Sequence, residues 1–339
     1  MLKKILTWRR LPFWFWHIPT VPYYLYLSLK SRDLLFFGAT NPCMRDAGYI
    51  RMPKSKFLEN IDPLYLPQQF VITPGKSGVS DVEEIMAEHH LSYPVVAKPN
   101  YGERGWAVRK IDNREQLKRY LQQFPKEIMI QEYLSDPIEL GVLWYRFPGE
   151  EKGHISSLTS KDLYQITGDG VSTLEALALK DKNRAHHFRR VRHKYLSRLS
   201  EVIPEGETLT LDIVAHLSHG AGFRDCRHLI NDDMIAFFTQ LCAPIEGFFY
   251  GRIDLKVPSI EHFKRFEGIK LIEINGTGSM PSHMFDPKLN TWQAYKALFH
   301  HWKTIHAIAR VNTKRGVAQM KLRHALAGLR KRMDKEEPA

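Results

Sequence analysis

The 339-residue chain has few cysteines, and none is arranged for metal or disulfide work. Cys43, Cys226 and Cys242 form no CxxC pair and no even framework, which argues against structural zinc and disulfides and for a reducing, cytoplasmic setting. HExxH is absent despite 16 histidines, and the doublets at 89–90, 186–187 and 300–301 are expected on solvated faces. There is no internal repeat and no long low-complexity linker, which removes solenoids and tethered arrays. "GKS" at 75–77 lacks the first glycine of a P-loop, because Phe70 stands there. An uninterrupted apolar span is missing too. The stretch "LPFWFWHIPTVPYYLYLSL" is about long enough to cross a bilayer, but Pro12, His17, Pro19, Thr20 and Pro22 break it, and no small-residue cleavage site follows.

Acid is scarce relative to base. Lys and Arg number 49 against 37 Asp and Glu, a net charge of +12. Such a surplus favours anionic partners, among them nucleotide phosphates, acidic lipids and nucleic acid, although a soluble basic enzyme has the same balance. No aromatic–basic motif of a known nucleic-acid reader is present, so no nucleic-acid partner is expected. The excess gathers at the ends: Lys3, Lys4, Arg9 and Arg10 at the start, and a basic stretch with Leu322, Leu326, Leu329 and Met333 at helical spacing at the finish. Five aromatics precede Pro22. Residues 1–40 therefore read as an aromatic and basic segment for peripheral contact with a membrane interface, or for packing against the domain or a second subunit of a homodimer.

Elements of both types alternate through the chain with short connections, which predicts an α+β (mixed α/β) class. Strands are expected at Gln69–Thr73, Tyr93–Pro99, Trp106–Ile111, Glu127–Gln131 and Leu140–Arg146, and at "YGRIDLKV" and "IKLIEIN". Helices are expected at Ser80–Leu91, from Asn113 to Phe124 behind a capping box with Gln116, from a Ser172 cap to Leu179, at Asp232–Pro244 and from Asn290 onward.

The chemistry gathers on "GRIDLKV" and "KLIEIN". The polar loop "PSIEHFKRFEG" between them predicts an antiparallel hairpin, and its symmetry places Asp254 opposite Glu273. Strand alternation puts Asn275 on the same face and turns Ile253, Leu255, Ile272 and Ile274 to a core. Directly opposed acids repel unless a cation lies between them. Asp254, Glu273 and Asn275 offer hard oxygen donors without Cys or His, which selects Mg²⁺ or Mn²⁺ over zinc. Such an ion is usually shared with substrate phosphates. A phosphate cradle is offered by "VVAKPNYGERGWAVRKI", where Lys98 ends a strand and Gly102 and Gly105 shape the turn. Further on, the strand end Gln131, Glu132, Tyr133, Leu134 can read an adenine edge, and Glu139 can accept ribose hydroxyls.

In order, Lys98 in "AKP", the Gly-rich turn, "QEYL" with Glu139, "GRIDL" and "EINGTGSM" resemble the ATP-grasp superfamily over residues about 50–300. "GRID" and "EINGTGSMPSHMFDP" are similar to the ligase that joins two D-alanines. "KPNYGERGWAV" and "TGDGVSTLEALALKDKNR" are similar to the cyanophycin-making enzymes and the ATP-grasp part of bifunctional glutathione synthetases. The resemblance implies an ATP-grasp fold in which two α+β subdomains clamp ATP behind a small pre-ATP-grasp region. On that basis 41–91 is the pre-ATP-grasp region, 92–160 the subdomain with the Gly-rich loop, 161–310 the subdomain with the Mg²⁺ site, and 311–339 a basic helical tail.

The implied activity is an ATP-dependent carboxylate–amine ligase working through an acyl phosphate. The implied alternatives are a phosphotransferase on the same fold and a catalytically silent ATP-binding scaffold at a membrane. Lys98 and Lys161 would bind ATP phosphates, and the turn at 102–105 would fold over them. Glu132, Leu134 and Glu139 would hold adenine and ribose, and Asp254, Glu273 and Asn275 would ligate two Mg²⁺ ions. Arg252 would face the acyl phosphate and the tetrahedral intermediate. Either Lys54 or Lys56 stands where the family places a further ATP lysine. Departures from the dipeptide ligase concern substrate: Arg104 replaces a serine of the Gly-rich turn, Ser279 beside Gly278 replaces an oxyanion-hole glycine, and Met284 replaces a carboxylate-binding serine. D-Ala–D-Ala synthesis is therefore not expected, and Arg146, Arg184 and Arg224 become candidate anchors for an acidic substrate carboxylate, with an amine as the second partner.

Overall fold

The structure, a computed structural model, describes residues 16–49, 53–73, 78–102, 105–124, 126–181, 184–323 and 325. Arg104, the "GKS" segment, the basic N-terminus and Leu326, Leu329 and Met333 of the tail lie outside the described residues. In chain order the elements are α1 (Val21–Ser31), α2 (Ser55–Leu58), β1 (Gln69–Ile72), α3 (Val79–Glu88), β2 (Val95–Pro99), β3 (Arg109–Ile111), α4 (Arg114–Gln123) and β4 (Ile128–Glu132). There follow β5 (Ile138–Tyr145), β6 (His154–Asp162), β7 (Tyr164–Thr167), α5 (Leu174–Lys180), α6 (Ala185–Val191), β8 (Thr208–Asp212) and β9 (Gly222–Asp225). The chain then forms α7 (Asp232–Cys242), β10 (Tyr250–Val257), α8 (Ile260–Lys264), β11 (Lys270–Asn275) and α9 (Thr291–Lys314). The fold is α+β, with helices laid against antiparallel sheet pairs.

Two compact units divide these elements, and each draws on separated segments, whereas the sequence reading divides the chain consecutively. The first takes the described parts of 1–66, 140–159 and 225–339; the second takes those of 67–139 and 160–224.

In the second unit, β1-β4-β2-β3 form a four-stranded antiparallel sheet. Val95, Ala97, Ile111, Ile128 and Ile130 meet Val82 and Met86 of α3 and Leu117 of α4 in one core. The amphipathic spacing of α3 and α4 serves that contact. A smaller core under β7 and β8 joins Tyr164, Leu174, Phe188 and Leu211.

In the first unit the sheet order is β11-β10-β5-β6-β9. Leu143 of β5 and Tyr250 of β10 share a core with Leu27, Phe36 and Phe37 and with Ile305, Ile308 and Ala309 of α9. The N-terminal segment is stitched to this core by buried amides. Asn41 donates to the carbonyls of Ala47 and Tyr250 and accepts from the N–H groups of Phe249 and Tyr250. Asn312 donates to the carbonyls of Ala39 and Thr40. Each of these side chains satisfies backbone groups that burial would otherwise leave without partners.

Several local expectations shift. Residues 105–107 form a turn, and the strand begins only at Arg109. The cap of α5 is Thr173, whose side chain accepts from the Ala176 N–H, while Ser172 is taken by Asp169. His301 is buried and hydrogen-bonded through Nδ1 to the Tyr250 hydroxyl at 2.6 Å, because this face of α9 packs inward. Ile272 is only half-buried: the ladder slips between Asp254 and Leu255, so Leu255 faces Leu271 and Ile272 is the extra residue.

Candidate functional site

Asp254 stands directly opposite Glu273, the register expected from the loop, and Arg252 stands opposite Asn275. These four side chains share one face of the hairpin by strand alternation, while Ile253, Leu255 and Leu271 are fully buried on the other. The bulge lies just past the Asp254–Glu273 pair and so leaves both acids on the polar face.

Each carboxylate is already met by a cation. Arg252 Nε and Nη2 reach Asp254 Oδ1 and Oδ2 at 2.8 and 3.0 Å, a two-point ion pair with little exposure. Lys54 Nζ lies 3.5 Å from Glu273 Oε1. The Asn275 amide donates to Asp254 Oδ2 at 3.4 Å. The face therefore demands positive charge and obtains it from side chains of the same unit. Of the two candidate lysines, Lys54 belongs here. Lys56 instead lines a separate cleft of about 380 Å³ with Cys43, Asn60 and Glu246.

Beyond β11 the chain turns at Gly276, where a Cβ would collide with the Ala47 carbonyl. Thr277 donates its N–H and hydroxyl to that same carbonyl, each at 3.0 Å. Ser279 is buried, and its Oγ has no hydrogen-bond partner among the described residues. Ser282 Oγ lies 3.4 Å from Arg252 Nη1. Next to it, His283 is buried against Ser157 Oγ at 2.7 Å, and burial with nearby Arg227 pushes its pKa down to about 4. Neither Ser157 nor His283 had a signal in the sequence, because they are 126 residues apart. Arg146 lies in this unit too, with its guanidinium over the Trp144 ring and a buried Nε that has no hydrogen-bond partner among the described residues.

In the second unit, Lys98 is buried at the end of β2 and donates to Gln131 Oε1 at 2.9 Å. Gln131 in turn donates to Gln69 Oε1 at 2.6 Å. Gln131, at the strand end proposed to read adenine, turns its side chain to the lysine. The register explains why: Val96 opposes Gln131 and Gln69 opposes Gln131 from the other side, so the three polar groups share a face. Glu132 accepts from the Gln68 N–H, Tyr133 carries the Lys110 ammonium 4.9 Å from its ring centroid, and Leu134 is mostly buried.

Lys161 and Glu139 form a second buried pair, Nζ to Oε1 at 2.9 Å. Glu139, the candidate for ribose, is the partner of Lys161 in this pair. Gly105 has φ +73, and a Cβ there would strike Val214, so only glycine fits the turn. Gly102 is half-buried at the other side of that turn. Arg224 pairs with Asp162 at 2.7 Å, and Arg184 lies over the Tyr164 ring at 5.7 Å. Of the candidate anchors, Arg184 and Arg224 share this unit with Lys98 and Lys161, whereas Arg146 does not.

The donor set on the hairpin has a limit. Among the described residues no group of three or more His, Cys, Asp or Glu side chains gathers to hold a metal. Asp254, Glu273 and the Asn275 amide provide hard oxygens for Mg²⁺, but only as part of a shell completed by water or phosphate oxygens. The residues fit a shared ion and do not fit an all-protein cage.

No protein-family model matches the chain, and no curated protein matches it in sequence. Among solved structures it is similar to a bifunctional glutathione synthetase from Pasteurella multocida, at 16% identity over 75% of this chain and 38% of that one, with a TM-score of 0.36. It is similar to a D-Ala:D-Ser ligase from Enterococcus faecalis, at 11% identity over 82% of this chain and 64% of that one, with a TM-score of 0.43. A D-alanine–D-alanine ligase from Bacillus anthracis is similar at 13% identity over 84% of this chain and 72% of that one, with a TM-score of 0.46. The chain spans less than two thirds of the length of the first two.

Proposed function

We propose that the chain is an ATP-dependent carboxylate–amine ligase of the ATP-grasp type. The observation that carries this reading is the direct opposition of Asp254 and Glu273, each held by a cation on a polar hairpin face. Two acids in that register are costly unless the site's task is to hold positive charge. Mg²⁺ bound there would neutralise phosphate charge as the γ-phosphoryl group moves to a substrate carboxylate, giving ADP and an acyl phosphate. An amine then attacks the carbonyl carbon, the C–O bond to phosphate breaks, and the amine proton is lost as the amide forms.

The chain's own residues have positioning and electrostatic roles. Lys98 and Lys161 meet nucleotide phosphates as point charges, preset by Gln131 and Glu139. Arg252 presents Nη1 and the neighbouring Ser282 hydroxyl to charge that develops on the reacting carbonyl. No protein nucleophile enters the scheme. Cys43, Cys226 and Cys242 form no disulfide with one another, which fits the reducing, cytoplasmic setting in which such nucleotide chemistry runs.

The decisive experiment is an ADP-release screen over carboxylate and amine pairs, with Mg²⁺ present and then chelated. Amine-dependent ADP release that disappears in Glu273→Gln supports the ligase. Mg²⁺-dependent ADP release that needs a carboxylate but no amine would replace it with a phosphotransferase.

A further inference from the structure

Helices α1 and α9 pack together and leave a face that the proposed chemistry does not use. Inward, α1 buries Leu27 and Ser28, sets Tyr23 edge-on to Phe299 at 5.2 Å and sets Tyr24 against Trp302 at 4.8 Å. Its needs on that side are met. Outward, Ile18, Val21, Leu25, Tyr26 and Leu29 are all exposed, Leu29 at 78%. Ile18, Val21, Leu25 and Leu29 recur at steps of three or four residues from the turn before α1 to its end, with Tyr26 beside Leu25, which makes one apolar stripe. Lys30 sits beside it, 5.8 Å from the Tyr26 ring centroid.

The partner helix adds charge of one sign. Trp292 at the start of α9 is 70% exposed. Lys296, Lys303 and Arg310 follow at seven-residue steps, all exposed. Phe299, the residue Tyr23 packs on, lies between Lys296 and Lys303, so the cation row borders the edge where α1 docks. Neither helix contains an Asp or Glu, and none occurs anywhere in residues 1–32, where the sequence also carries Lys3, Lys4, Arg9 and Arg10. The first acid, Asp33, is turned inward: Oδ1 accepts from the Leu35 N–H and Oδ2 is buried.

We propose that this α1–α9 face docks on an anionic lipid bilayer, with the α1 stripe entering the boundary between headgroups and acyl chains and the α9 cations over the headgroups. An apolar stripe with Tyr and Trp at its margins and Lys or Arg alongside suits that interface. Anionic headgroups supply the negative charge that the face lacks. A second copy of this chain would bring the same acid-free helices together, like charge against like. Among the described residues no helix is long and apolar enough to cross a membrane, so the contact lies on the surface.

Co-sedimentation of the full chain with phosphatidylcholine vesicles, with and without phosphatidylglycerol, tests this. Pelleting is expected only with phosphatidylglycerol, and it weakens as salt rises. The double change Leu25→Glu and Leu29→Glu, at exposed positions, lowers the partition by about tenfold or more while the melting temperature holds. Lys296→Glu with Lys303→Glu weakens binding and flattens its salt dependence. The proposal is overturned if phosphatidylglycerol vesicles do not pellet the protein or the stripe variant pellets equally. It is overturned too if sedimentation velocity shows that the stripe changes split a dimer with no lipid binding present.

Discussion

Arg252 grips Asp254 at two points, Nε to Oδ1 at 2.8 Å and Nη2 to Oδ2 at 3.0 Å. A carboxylate held this way has its oxygens committed, so loading a divalent ion on the hairpin competes with the fork. Arg252→Ala releases that competition but removes the charge offered to the reacting carbonyl. We expect the Mg²⁺ concentration for half-maximal turnover to fall while kcat drops by about 100-fold. A Mg²⁺ titration of steady-state ADP release reads both, and unchanged values would remove Arg252 from the chemistry.

Asp254→Asn and Glu273→Gln each keep shape and remove charge. Turnover should fall by at least about 100-fold in either, since each loses an oxygen donor for the shared ion. Thermal melting should fall in Asp254→Asn, because Arg252 loses its buried counterion, and should change less in Glu273→Gln, whose carboxylate is more exposed and only 3.5 Å from Lys54. Full activity in both variants would end the ligase reading.

The Lys161–Glu139 pair separates stability from function. Lys161→Ala strands a buried carboxylate and is expected to cost about 3–5 kcal/mol in denaturant unfolding. Lys161→Met combined with Glu139→Leu should recover most of that loss, since a well-packed apolar pair replaces ions without desolvation. Nucleotide binding, followed by titration calorimetry, should stay impaired in both.

Gly105→Ala meets two obstacles, the left-handed φ of +73 and the side chain of Val214. The backbone part alone is worth about 1–2 kcal/mol. Adding Val214→Ala should relieve the collision and leave the backbone part, so melting curves of the single and double variants partition the two.

Acid should loosen the first unit. His283 is held down to about 4 by burial and then by Arg227, and His301 to about 3 by burial and then by neighbouring histidines. Both start from 6.5 in the unfolded chain, so between pH 6.5 and about 4 unfolding takes up protons that the folded state refuses. Stability is whole above that window and falls as pH drops through it. At about 1.4 kcal/mol per pKa unit, His283 alone contributes on the order of 3 kcal/mol at the acid end. His283→Gln should flatten the pH slope of unfolding measured in urea, where a merely volumetric role would leave it unchanged.

What could be read in advance was what local pattern encodes. Asp254 and Glu273 were legible because a single loop joins their strands and alternation does the rest. The capping of α4 by Asn113 is of the same kind. Illegible were contacts whose partners lie far along the chain: Gln131 with Gln69, 62 residues apart, and His301 with Tyr250, 51 apart. A His doublet on a helix looks solvated until a neighbouring strand supplies a hydroxyl. The slip at Ile272 was hidden too, since an extra residue leaves apolar composition unchanged.

The amides of Asn41 and Asn312 tie the beginning of the first unit to its end, and Asn312 reaches back 272 and 273 residues to Thr40 and Ala39. This sets an order of events during synthesis. The second unit has all its residues once 224 has been made, whereas the first stays open until 312 has left the ribosome. Until then α1 and the turn after it, with Leu27 and Phe36 meant for burial, wait exposed while most of the chain is being made. Growing chains of this protein should therefore depend on holding factors for longer than its length alone suggests, and cleavage or truncation late in the chain should release the N-terminal helix first.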